Sequence, residues 1–365
     1  MKTNAIIDAR HIHKGGIGEY IKHQIDGLIL SQAFDEITIL CHNPDQLNIS
    51  NFPSHIKPLS FPRMYGLAEQ IAMHRLKTKK CKTVYFSPHV THPVFPFCPT
   101  VVTIHDLIWL KYPHYATSFL GREYFSLMLK NAVKKCSKVI CISQTTAIDV
   151  HELFKCPYEK IQVIHNGCDQ SSFSGLGTRI VDKGYWLYVG SWKPWKKVPL
   201  LLQAFDKFMK AGIPGAPNRL VIAGAADTKL ADDIPKLVGD SNYKENIQIL
   251  GPVSQDELVQ LYLNAYALVH PAEYEGFGLT ILEAMRCGTP VITTNGGSLP
   301  EIAGDSALIV TPDNSSFLFD AMRKLSSDPA FYEVLSKKGS DRAKLFPWSR
   351  CVKSTIDLLI QTAEA

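Results

Sequence analysis

The sequence predicts an α/β protein with two domains, each built around a mostly parallel sheet. Short apolar runs alternate with helical patterns along the chain, which is typical of βα units. The chain has 365 residues, of which 45% are apolar, so it can form two hydrophobic cores. A polar, aperiodic stretch from Gln170 to Gly184 separates two series of apolar runs and predicts the linker between them. We expect the domains to span residues 1–170 and 171–345.

The first domain starts with a predicted strand that ends at Asp8, followed by a glycine-rich loop and an amphipathic helix. The loop contains Gly15, Gly16, Ile17 and Gly18. Because glycine has no Cβ, such a loop lets the backbone approach a ligand closely. A tight turn that needs a positive φ is the structural alternative. The Gly-x-Gly-x-x-Gly spacing of dinucleotide-binding folds does not occur at this loop, which disfavours a nicotinamide enzyme.

Further apolar runs predict strands at residues 37–40, 83–87, 100–104, 138–142 and 160–164. His105 and Asp106 follow the third of these runs directly. Ligands of α/β folds bind at the carboxyl ends of strands, and an imidazole there can donate to hydroxyl groups or stabilise charge at a reacting carbon. His105 is therefore a candidate site residue, while the other twelve histidines have no comparable context.

The second domain repeats the alternation of strands and helices. Its first predicted strand ends at Gly190 and leads through a Trp- and Lys-rich segment into a helix. Runs at residues 219–224 and 246–251 predict the next two strands, and both end in glycine. A Ser-Gln-Asp-Glu-Leu string soon after the second run is typical of a capped helix start.

The most informative stretch lies between Glu275 and Val291. An apolar run at residues 267–270 predicts a buried strand, two glycines then bracket Phe277, and a helical pattern follows until a glycine and a proline end it. The start of such a helix presents free N–H groups and a positive dipole end, which suit a phosphate. Glu275 stands on the loop and Glu283 in the helix. The alternative interpretation is an ordinary βα unit with a solvated glutamate.

This stretch resembles the signature of the retaining GT-B glycosyltransferases, in which two glutamates flank seven residues that contain Gly-Phe-Gly-Leu. The resemblance is to family 4-like enzymes, the glycosyl transferases group 1, and is nearest to bacterial mannosyltransferases of surface polysaccharide synthesis. It spans nearly the entire chain. It implies the GT-B fold, with two Rossmann-like domains whose parallel sheets face a cleft and a C-terminal helix at about 346–365 that packs back on the first domain.

The resemblance also implies a reaction, the transfer of a hexose from a nucleoside-diphosphate sugar to a hydroxyl group with retention at the anomeric carbon. It implies that Glu283 binds the ribose hydroxyls, Glu275 the hydroxyls of the sugar, and His105 the sugar from the opposite domain. Lys196, six residues after Gly190, then stabilises negative charge on the departing diphosphate. The implied catalytic residues are His105, Glu275 and Lys196.

Two binding sets follow from the same resemblance. The donor set is Gly16, Ser191, Lys196, Gly251, Val253, Glu275, Gly276, Phe277, Gly278, Leu279, Thr280 and Glu283. The set that faces the donor diphosphate and the acceptor is Gly15, Gly16, Ile17 and Gly18. In this scheme the amides of residues 277–280 bind the diphosphate and the backbone of residues 251–253 lines the base pocket. For Lys196 the alternative is a solvated helix start.

The chain departs from the family at an arginine that usually accompanies the lysine. Ser191 and Trp195 occupy the two places where the family keeps it. Lys193 or Lys197 can supply the charge, but neither has a forked guanidinium. The string from Tyr188 to Lys196 resembles that of mannosyltransferases that use GDP-mannose, and this resemblance implies GDP-mannose as the donor, with a UDP-sugar as the alternative.

Three other functions share parts of this pattern. An epimerase of the same fold would use the nucleotide pocket without an acceptor. A phosphorylase would need a lysine that holds pyridoxal phosphate. A non-catalytic sugar-binding or scaffold protein would keep the fold after losing the arginine.

No cofactor and no metal are expected, because the sequence has no Asp-x-Asp cluster and a lysine with a helix dipole can take the place of a cation. Nine cysteines without a Cys-x-x-Cys pair favour reduced thiols and a cytoplasmic location. We expect neither a membrane-spanning segment nor a signal peptide, since the sequence shows no apolar stretch long enough to cross a bilayer and no cleavage site at its start.

The net charge of +5 is concentrated in the first 170 residues. Basic residues cluster at 75–82 and again at Lys130, Lys134, Lys135 and Lys138. Such clusters attract anionic membranes or phosphorylated acceptors, although a solvated helix face is the alternative. Nucleic acid is disfavoured because the clusters lack interleaved aromatic residues. The expected partners are a nucleotide sugar, a glycan or lipid-diphosphate-linked acceptor and, peripherally, the anionic inner face of a membrane.

Overall fold

The computed structural model describes residues 3–13, 15–47, 53–76, 82–168, 184–226 and 231–365. The predicted linker lies outside these residues apart from Gly184, and so does most of the basic cluster at 75–82. The chain forms two compact units. Unit 1 contains Met1–Lys111, Ser118–Gly167 and Trp348–Ala365, and unit 2 contains Tyr112–Thr117 and Cys168–Pro347.

Unit 1 is built, within the described residues, on a sheet of seven parallel strands. In chain order these are β1 (Thr3–Asp8), β2 (Glu36–Cys41), β3 (Ile56–Ser60), β4 (Lys82–Ser87), β5 (Thr100–Ile104), β6 (Lys138–Cys141) and β7 (Ile161–Val163). Their spatial order is β3-β2-β1-β4-β5-β6-β7. Ile7 of β1 pairs with Ile39 of β2 on one side and with Phe86 of β4 on the other. All three side chains are buried, as expected for a parallel sheet covered on both faces.

The helices that connect these strands are α1 (Gly15–Ser31), α2 (Leu67–His74), α3 (Ile108–Lys111), α4 (Phe119–Lys135) and α5 (Gln144–Phe154). α1 buries an apolar face that includes Ile21, Ile25 and Leu28. The hydroxyl groups of Tyr20 and Thr103 are hydrogen-bonded at 3.2 Å, which ties this helix to β5.

Unit 2 contains, within the described residues, a second parallel sheet of six strands. They are β8 (Trp186–Val189), β9 (Leu220–Ala223), β10 (Ile247–Gly251), β11 (Ala267–His270), β12 (Val291–Thr294) and β13 (Leu308–Val310). The spatial order is β10-β9-β8-β11-β12-β13. The strands are short and apolar, so the sheet is stabilised mainly by the helices packed on its two faces.

The helices of unit 2 are α6 (Val198–Ala211), α7 (Ile234–Gly239), α8 (Gln255–Asn264), α9 (Leu279–Arg286), α10 (Leu299–Ala303), α11 (Ser315–Ser327) and α12 (Pro329–Ala343). Phe205 and Phe208 of α6 share the main core with Trp186 of β8. The rings of Trp186 and Phe208 meet edge to face at 5.2 Å, an arrangement that aromatic pairs favour.

The C-terminal helix α13 (Trp348–Glu364) belongs to unit 1 and packs on α1. His23 stacks on Trp348 with ring centroids 4.2 Å apart, and Gln24 Nε2 donates to Cys351 Sγ at 3.3 Å. In the part of the chain that the structure describes, no helix combines the length and the apolar character that a membrane span requires.

The predicted α/β class with two parallel sheets is confirmed. In each sheet the first strand lies between the second and the fourth, so that β1 is flanked by β2 and β4, and β8 by β9 and β11. At this switch point the chain leaves neighbouring strands in opposite directions, and the loops at the carboxyl edge form a crevice in which open α/β folds bind ligands. Each unit therefore has one edge at which a ligand is expected.

The glycine-rich segment is helical, although a loop was expected. α1 begins at Gly15, which has a φ of 49°. A Cβ on Gly18 would lie 2.4 Å from the carbonyl oxygen of Ile12. Glycine is needed here because the preceding segment crosses closely over the first turn of the helix.

Candidate active site

The carboxyl edge of the unit 2 sheet holds three interacting side chains beside its switch point. His270 ends β11, Glu275 follows in the loop before α9, and Lys196 ends a 3₁₀ turn after β8. The Lys196 ammonium forms an ion pair with Glu275 Oε1. His270 Nε2 donates to the same oxygen at 2.8 Å. Two predicted site residues, Glu275 and Lys196, therefore touch.

The Glu275 carboxylate is held in its charged form. Burial alone would raise the pKa of Glu275, but the charge of Lys196 and the hydrogen bond from His270 outweigh that effect and lower the pKa to about 2. At neutral pH the group is thus an anion that can only accept hydrogen bonds. Such a carboxylate is well suited to bind hydroxyl groups.

His270 is absent from the predicted site. Its side chain is buried, and its ring lies nearly parallel to that of Tyr188 with centroids 6.4 Å apart. Burial lowers the pKa of His270, so the ring is neutral and carries its proton on Nε2, the atom that donates to Glu275. The one signal in the sequence is its position at the end of the strand that precedes the Glu275 loop.

The backbone of Glu275 is fixed by a turn that follows β12. Its carbonyl oxygen accepts hydrogen bonds from Ser298 N at 2.9 Å and from Ser298 Oγ at 3.0 Å. Gly297 has a φ of 60°, and a Cβ there would lie 2.2 Å from the same oxygen. A Cβ on Gly296 would lie 2.4 Å from the carbonyl oxygen of Glu273. The two glycines are therefore required for the close approach of the two loops.

The N-terminus of α9 follows the Glu275 loop. Gly278 precedes the helix with a φ of 99° and without a side-chain cap. The first N–H groups of a helix have no partner within it, and they form the positive end of its dipole. Gly276 and Phe277 are buried, and Leu279 and Thr280 are half-buried. The predicted anion-binding segment thus has the local geometry that an anion requires.

Glu283, in the second turn of α9, is positioned by a tyrosine from α8. The Tyr262 hydroxyl donates to Glu283 Oε2 at 2.8 Å, and Thr289 Oγ1 donates to the Tyr262 carbonyl oxygen at 2.6 Å. Burial, reinforced by the neighbouring carboxylate, raises the pKa of Tyr262 well above its usual value, so the hydroxyl keeps its proton and donates. In the sequence Tyr262 is indistinguishable from a core residue of an amphipathic helix, and it was not predicted.

The lysines considered as substitutes for the absent arginine have other partners. Lys197 Nζ lies 2.9 Å from Glu273 Oε2, and the Tyr115 hydroxyl donates to the same oxygen. Lys193 Nζ lies 5.3 Å from the ring centroid of Trp195, a cation–π contact. The hydrogen bonds from Tyr115 and Lys197 outweigh the effect of burial and lower the pKa of Glu273. Lys197 is therefore paired with Glu273 in this structure, and its role as a substitute for the arginine stays a prediction.

The remaining donor residues lie at the carboxyl ends of neighbouring strands in the same sheet. Ser191 follows β8, and its carbonyl oxygen accepts from the Tyr188 hydroxyl at 2.8 Å. Gly251 ends β10 with a φ of 70°, and its carbonyl oxygen accepts from Gly224 N at 2.8 Å. Val253 is half-buried between β10 and α8. These three residues lie at or after the ends of β8 and β10, the two strands that flank β9, and so at the same edge of the sheet as Lys196.

His105 belongs to unit 1, where it follows β5. Its Nε2 donates to the Pro88 carbonyl oxygen at 2.8 Å, and its ring meets the edge of Tyr20 at 5.2 Å. Burial lowers the pKa of His105 to about 4, so the ring is neutral. With Nε2 committed as a donor, Nδ1 of the neutral ring is an acceptor. Through Nδ1 the neutral ring can accept a hydrogen bond from a hydroxyl group, and the role of His105 toward a sugar stays a prediction.

The glycine-rich residues form the first turn of α1 in unit 1. Gly15 and Gly16 are exposed, Ile17 is half-buried and Gly18 is buried. The first N–H groups of this helix, like those of α9, have no partner within the helix. The exposed start of α1 can therefore accept an anion.

Comparison with known proteins agrees with this fold. The family model described as glycosyl transferases group 1 matches residues 178–342, and the model for glycosyltransferase family 4 matches residues 14–172. O-antigen chain mannosyltransferase B of Escherichia coli is 28% identical over 267 residues, which cover 70% of this chain and 69% of that protein. O-antigen chain mannosyltransferase RfbU of Salmonella typhimurium is 31% identical over 240 residues, covering 66% of this chain and 64% of that protein. The matches thus span about two thirds of the relatives.

A solved structure extends the match over the whole chain. HepE from Anabaena, in complex with UDP-glucose, superimposes with a TM-score of 0.77 at 15% identity and covers 98% of this chain and 99% of that one. Two parallel-sheet Rossmann-like units with this topology constitute the GT-B fold. The chain belongs to the glycosyl transferases group 1, and the predicted resemblance is confirmed.

Proposed function

We propose that this glycosyltransferase transfers a hexose, with retention of anomeric configuration, from a nucleoside-diphosphate sugar to a hydroxyl group of a glycan or lipid-linked acceptor. The observation that carries the proposal is the cluster of Glu275, Lys196 and His270 at the switch point of unit 2, beside the start of α9. It combines a permanently ionised carboxylate, a cation and free backbone N–H groups. Those groups are complementary to sugar hydroxyls and a diphosphate.

In this proposal Glu275 and Glu283 bind the two sugars of the donor. Glu275 accepts hydrogen bonds from the hydroxyls of the transferred hexose, because its pKa of about 2 keeps it ionised. Glu283 accepts from the ribose hydroxyls, and the Tyr262 hydroxyl fixes its orientation. Hydrogen bonds to charged groups contribute about 1.5–3 kcal/mol each, which is enough to position a donor.

The diphosphate binds at the α9 N-terminus with Lys196. Negative charge grows on the leaving phosphate as the glycosidic bond breaks, so a fixed ammonium and a helix dipole favour the transition state over the ground state. We propose that these groups do the work of a cation and that the reaction needs no metal. The departing diphosphate itself takes the proton of the acceptor on the same face of the sugar, which accounts for retention.

GDP-mannose is the donor that we favour. The string from Tyr188 to Lys196 resembles that of mannosyltransferases, and two relatives carry that activity in their names. A UDP-sugar is the second candidate, because Ser191 and Trp195 leave the arginine position without a guanidinium and Lys197 is bound to Glu273. The names of the relatives also suggest a role in O-antigen synthesis, and we propose a bacterial surface polysaccharide (O-antigen or capsule) as the product and the cytoplasmic side of the membrane as the location.

Nucleotide binding is the direct test. A ligand that binds only the folded protein stabilises it by about 2.7 kcal/mol at a hundredfold excess over Kd, so a thermal-shift panel of GDP, UDP, ADP and their sugars identifies the base. We expect GDP and GDP-mannose to raise the melting temperature most. Glu283→Ala should abolish the shift, whereas Glu333→Ala, which removes an exposed glutamate of α12, should preserve it. A Glu283→Ala protein with an unchanged shift would contradict the placement of the nucleotide.

Product analysis tests the reaction itself. Release of the nucleoside diphosphate that depends on an acceptor distinguishes transfer from epimerisation and from mere binding. The one-bond coupling between C1 and H1 of the transferred sugar should show the same anomeric configuration in the product as in the donor. An inverted configuration would refute retention.

Peripheral membrane contact is a separate proposal that rests on the basic clusters of the first 170 residues. Each basic residue near an anionic surface contributes about 1 kcal/mol. Neutralising Lys77, Lys79, Lys80 and Lys82 together should therefore reduce sedimentation with vesicles that contain phosphatidylglycerol. The matched control neutralises four exposed lysines of unit 2, namely Lys207, Lys210, Lys236 and Lys244. Equal partitioning of both variants and the unaltered protein would exclude membrane contact through this cluster.

A further inference from the structure

A buried ion cluster lies at the switch point of unit 1, away from the residues assigned so far. Arg10 follows β1 and binds Asp8 through Nε at 2.8 Å and through Nη2 at 2.5 Å. Its Nη2 also binds Glu69 Oε1 at 2.7 Å, and its Nη1 donates to the Pro62 carbonyl oxygen at 3.0 Å. All three charged side chains are buried. Two carboxylates face one guanidinium, so the cluster is rigid and carries no spare positive charge.

The cluster holds an exposed tyrosine in an unusual conformation. The backbone N–H of Tyr65 donates to Glu69 Oε2 at 2.8 Å, and the Tyr65 hydroxyl is hydrogen-bonded to His11 Nε2 at 2.9 Å. Tyr65 has a φ of 70°, in the left-handed region that a bulky residue rarely adopts. Nevertheless 54% of its surface is exposed. Hydrogen bonds at its backbone N–H and at its hydroxyl group hold this exposed aromatic side chain in place despite the strained backbone. We conclude that the position of the ring matters more than its packing.

Other aromatic side chains extend this surface. The ring of Tyr124 from α4 meets that of Tyr65 edge to face, with centroids 5.5 Å apart and planes at 88°. His11 packs against His89 in a similar way at 4.1 Å. These four rings come from the segments after β1, β3 and β4 and from α4. They surround the carboxyl edge between β1 and β4, where the strand order reverses and a ligand is expected.

Rigid aromatic faces beside hydrogen-bonding groups suit one chemical class of ligand, the pyranose ring. The C–H groups on one face of a sugar are weakly positive and pack on the negative face of an aromatic ring. A phosphate is poorly suited, because the only guanidinium of the cluster is bound by two carboxylates and the surplus charge is negative. We propose that Tyr65, supported by Tyr124, is the platform on which a neutral sugar of the acceptor stacks. This inference rests on the proposed function for its kinetic consequence only.

The kinetic test removes the ring without straining the backbone. Glycine adopts a φ of 70° readily, so relief of backbone strain in Tyr65→Gly offsets the loss of the hydrogen bond to His11 and of the ring contact with Tyr124, and the variant should fold. We expect the KM for the acceptor to rise by about tenfold or more, while the KM for the donor and its slow hydrolysis without acceptor stay unchanged. Tyr158→Ala is the matched control, since Tyr158 also belongs to unit 1, is 53% exposed and precedes β7 at the opposite edge of the sheet.

Direct binding tests the platform without turnover. Saturation-transfer NMR is measured with a panel of neutral methyl glycosides, the mannoside, galactoside, rhamnoside and N-acetylglucosaminide, and with the 6-phosphates of those that can carry one. At least one neutral glycoside should give a signal that Tyr65→Gly loses and Tyr158→Ala keeps. Stronger binding of a phosphorylated ligand, or the absence of any neutral binder at millimolar concentration, would overturn the proposal.

Failure of the proposed function and failure of the Tyr65 platform give different results. If no nucleotide sugar binds, the proposed function fails, and the NMR panel still decides whether unit 1 binds a sugar at Tyr65. If transfer occurs and Tyr65→Gly has an unchanged acceptor KM, the reaction stands and the platform is refuted.

Discussion

Replacing Lys196 with methionine removes the ammonium but keeps the length of the side chain, and it leaves the half-buried Glu275 carboxylate without its cation. The pKa of Glu275 falls from 4.5 to about 2 in the folded protein, although burial acts in the opposite direction. A difference of that size corresponds to about 3 kcal/mol in favour of the folded protein with an ionised Glu275. Loss of one partner of such an ion pair costs a similar amount, about 3–5 kcal/mol.

Urea denaturation followed by tryptophan fluorescence measures this cost, since Trp186, Trp192 and Trp195 all belong to unit 2. We expect Lys196→Met to lower the midpoint at neutral pH by about 1 M. The double variant with Glu275→Gln should recover part of the loss, because the uncompensated charge is then absent. A Lys196→Met protein with an unchanged midpoint would refute the ion pair as a source of stability.

The stability that Glu275 contributes should change with pH in a defined direction. Because the pKa of Glu275 is lower in the folded than in the unfolded chain, the stabilisation is complete above the unfolded value of 4.5 and is lost as the pH falls towards about 2. The difference in stability between the unaltered protein and Lys196→Met should therefore shrink as the pH falls through this range. A difference that grows on acidification would contradict the assignment.

Three further outcomes are expected. Tyr262→Phe should raise the Kd for the nucleoside diphosphate about tenfold in calorimetry, because Glu283 loses the hydroxyl that orients it. Gly297→Ala should destabilise the fold by more than about 2 kcal/mol in thermal unfolding and abolish transfer, since the new Cβ would lie 2.2 Å from the Glu275 carbonyl oxygen. His105 should titrate in NMR near pH 4, and because its pKa is lower in the folded chain, protein stability should fall as the pH drops from about 6.5 towards 4.

The two substitutions have matched controls in the chain. Tyr266→Phe removes a hydroxyl that donates to the Leu325 carbonyl oxygen and should leave nucleotide affinity unchanged. Gly212 has the same φ of 60° as Gly297 but nothing within 4 Å of an added Cβ, so Gly212→Ala should cost only about 1 kcal/mol of backbone strain. Equal destabilisation by the two alanines would contradict the steric argument, and a histidine midpoint near 6.5 would contradict the burial of His105.

Sequence periodicity predicted most strands because parallel strands buried on both faces are short, apolar and separated by helical patterns. Two edge strands were not predicted. β3 contains Lys57 and Pro58 and exposes most of its residues, and β13 has only three residues. Edge strands pair on one side, so they need fewer apolar residues and leave a weaker pattern. The glycine-rich segment is predicted as a loop because it lies between the first strand and the first helix and lets the backbone approach a ligand closely, whereas in the structure α1 already begins at Gly15.

In the candidate site, too, the residues that are close together in the sequence could be predicted, whereas residues that meet only through tertiary packing could not. Glu275, Glu283 and the start of α9 lie in one continuous stretch, so spacing alone brings them together. His270, Tyr262 and Ser298 act on that stretch from separate elements, and their side chains resemble ordinary core or turn residues in the sequence. Tyr115 is 158 residues from Glu273, and no local pattern marks such a pair. The contact between Lys197 and Glu273 depends on the same long-range packing.

The two oxygens of the Glu275 carboxylate have different environments, and this difference bears on how the enzyme could diversify. Lys196 and His270 both act on Oε1, and they come from segments on either side of the switch point. The two contacts that hold the carboxylate are thus independent of any hydroxyl group from which its other oxygen accepts a hydrogen bond. Under the proposed function, substitutions elsewhere along the carboxyl edge can change which hexose fits without disturbing the charge or the position of Glu275. A lineage can in this way exchange one sugar for another while the reaction chemistry stays constant.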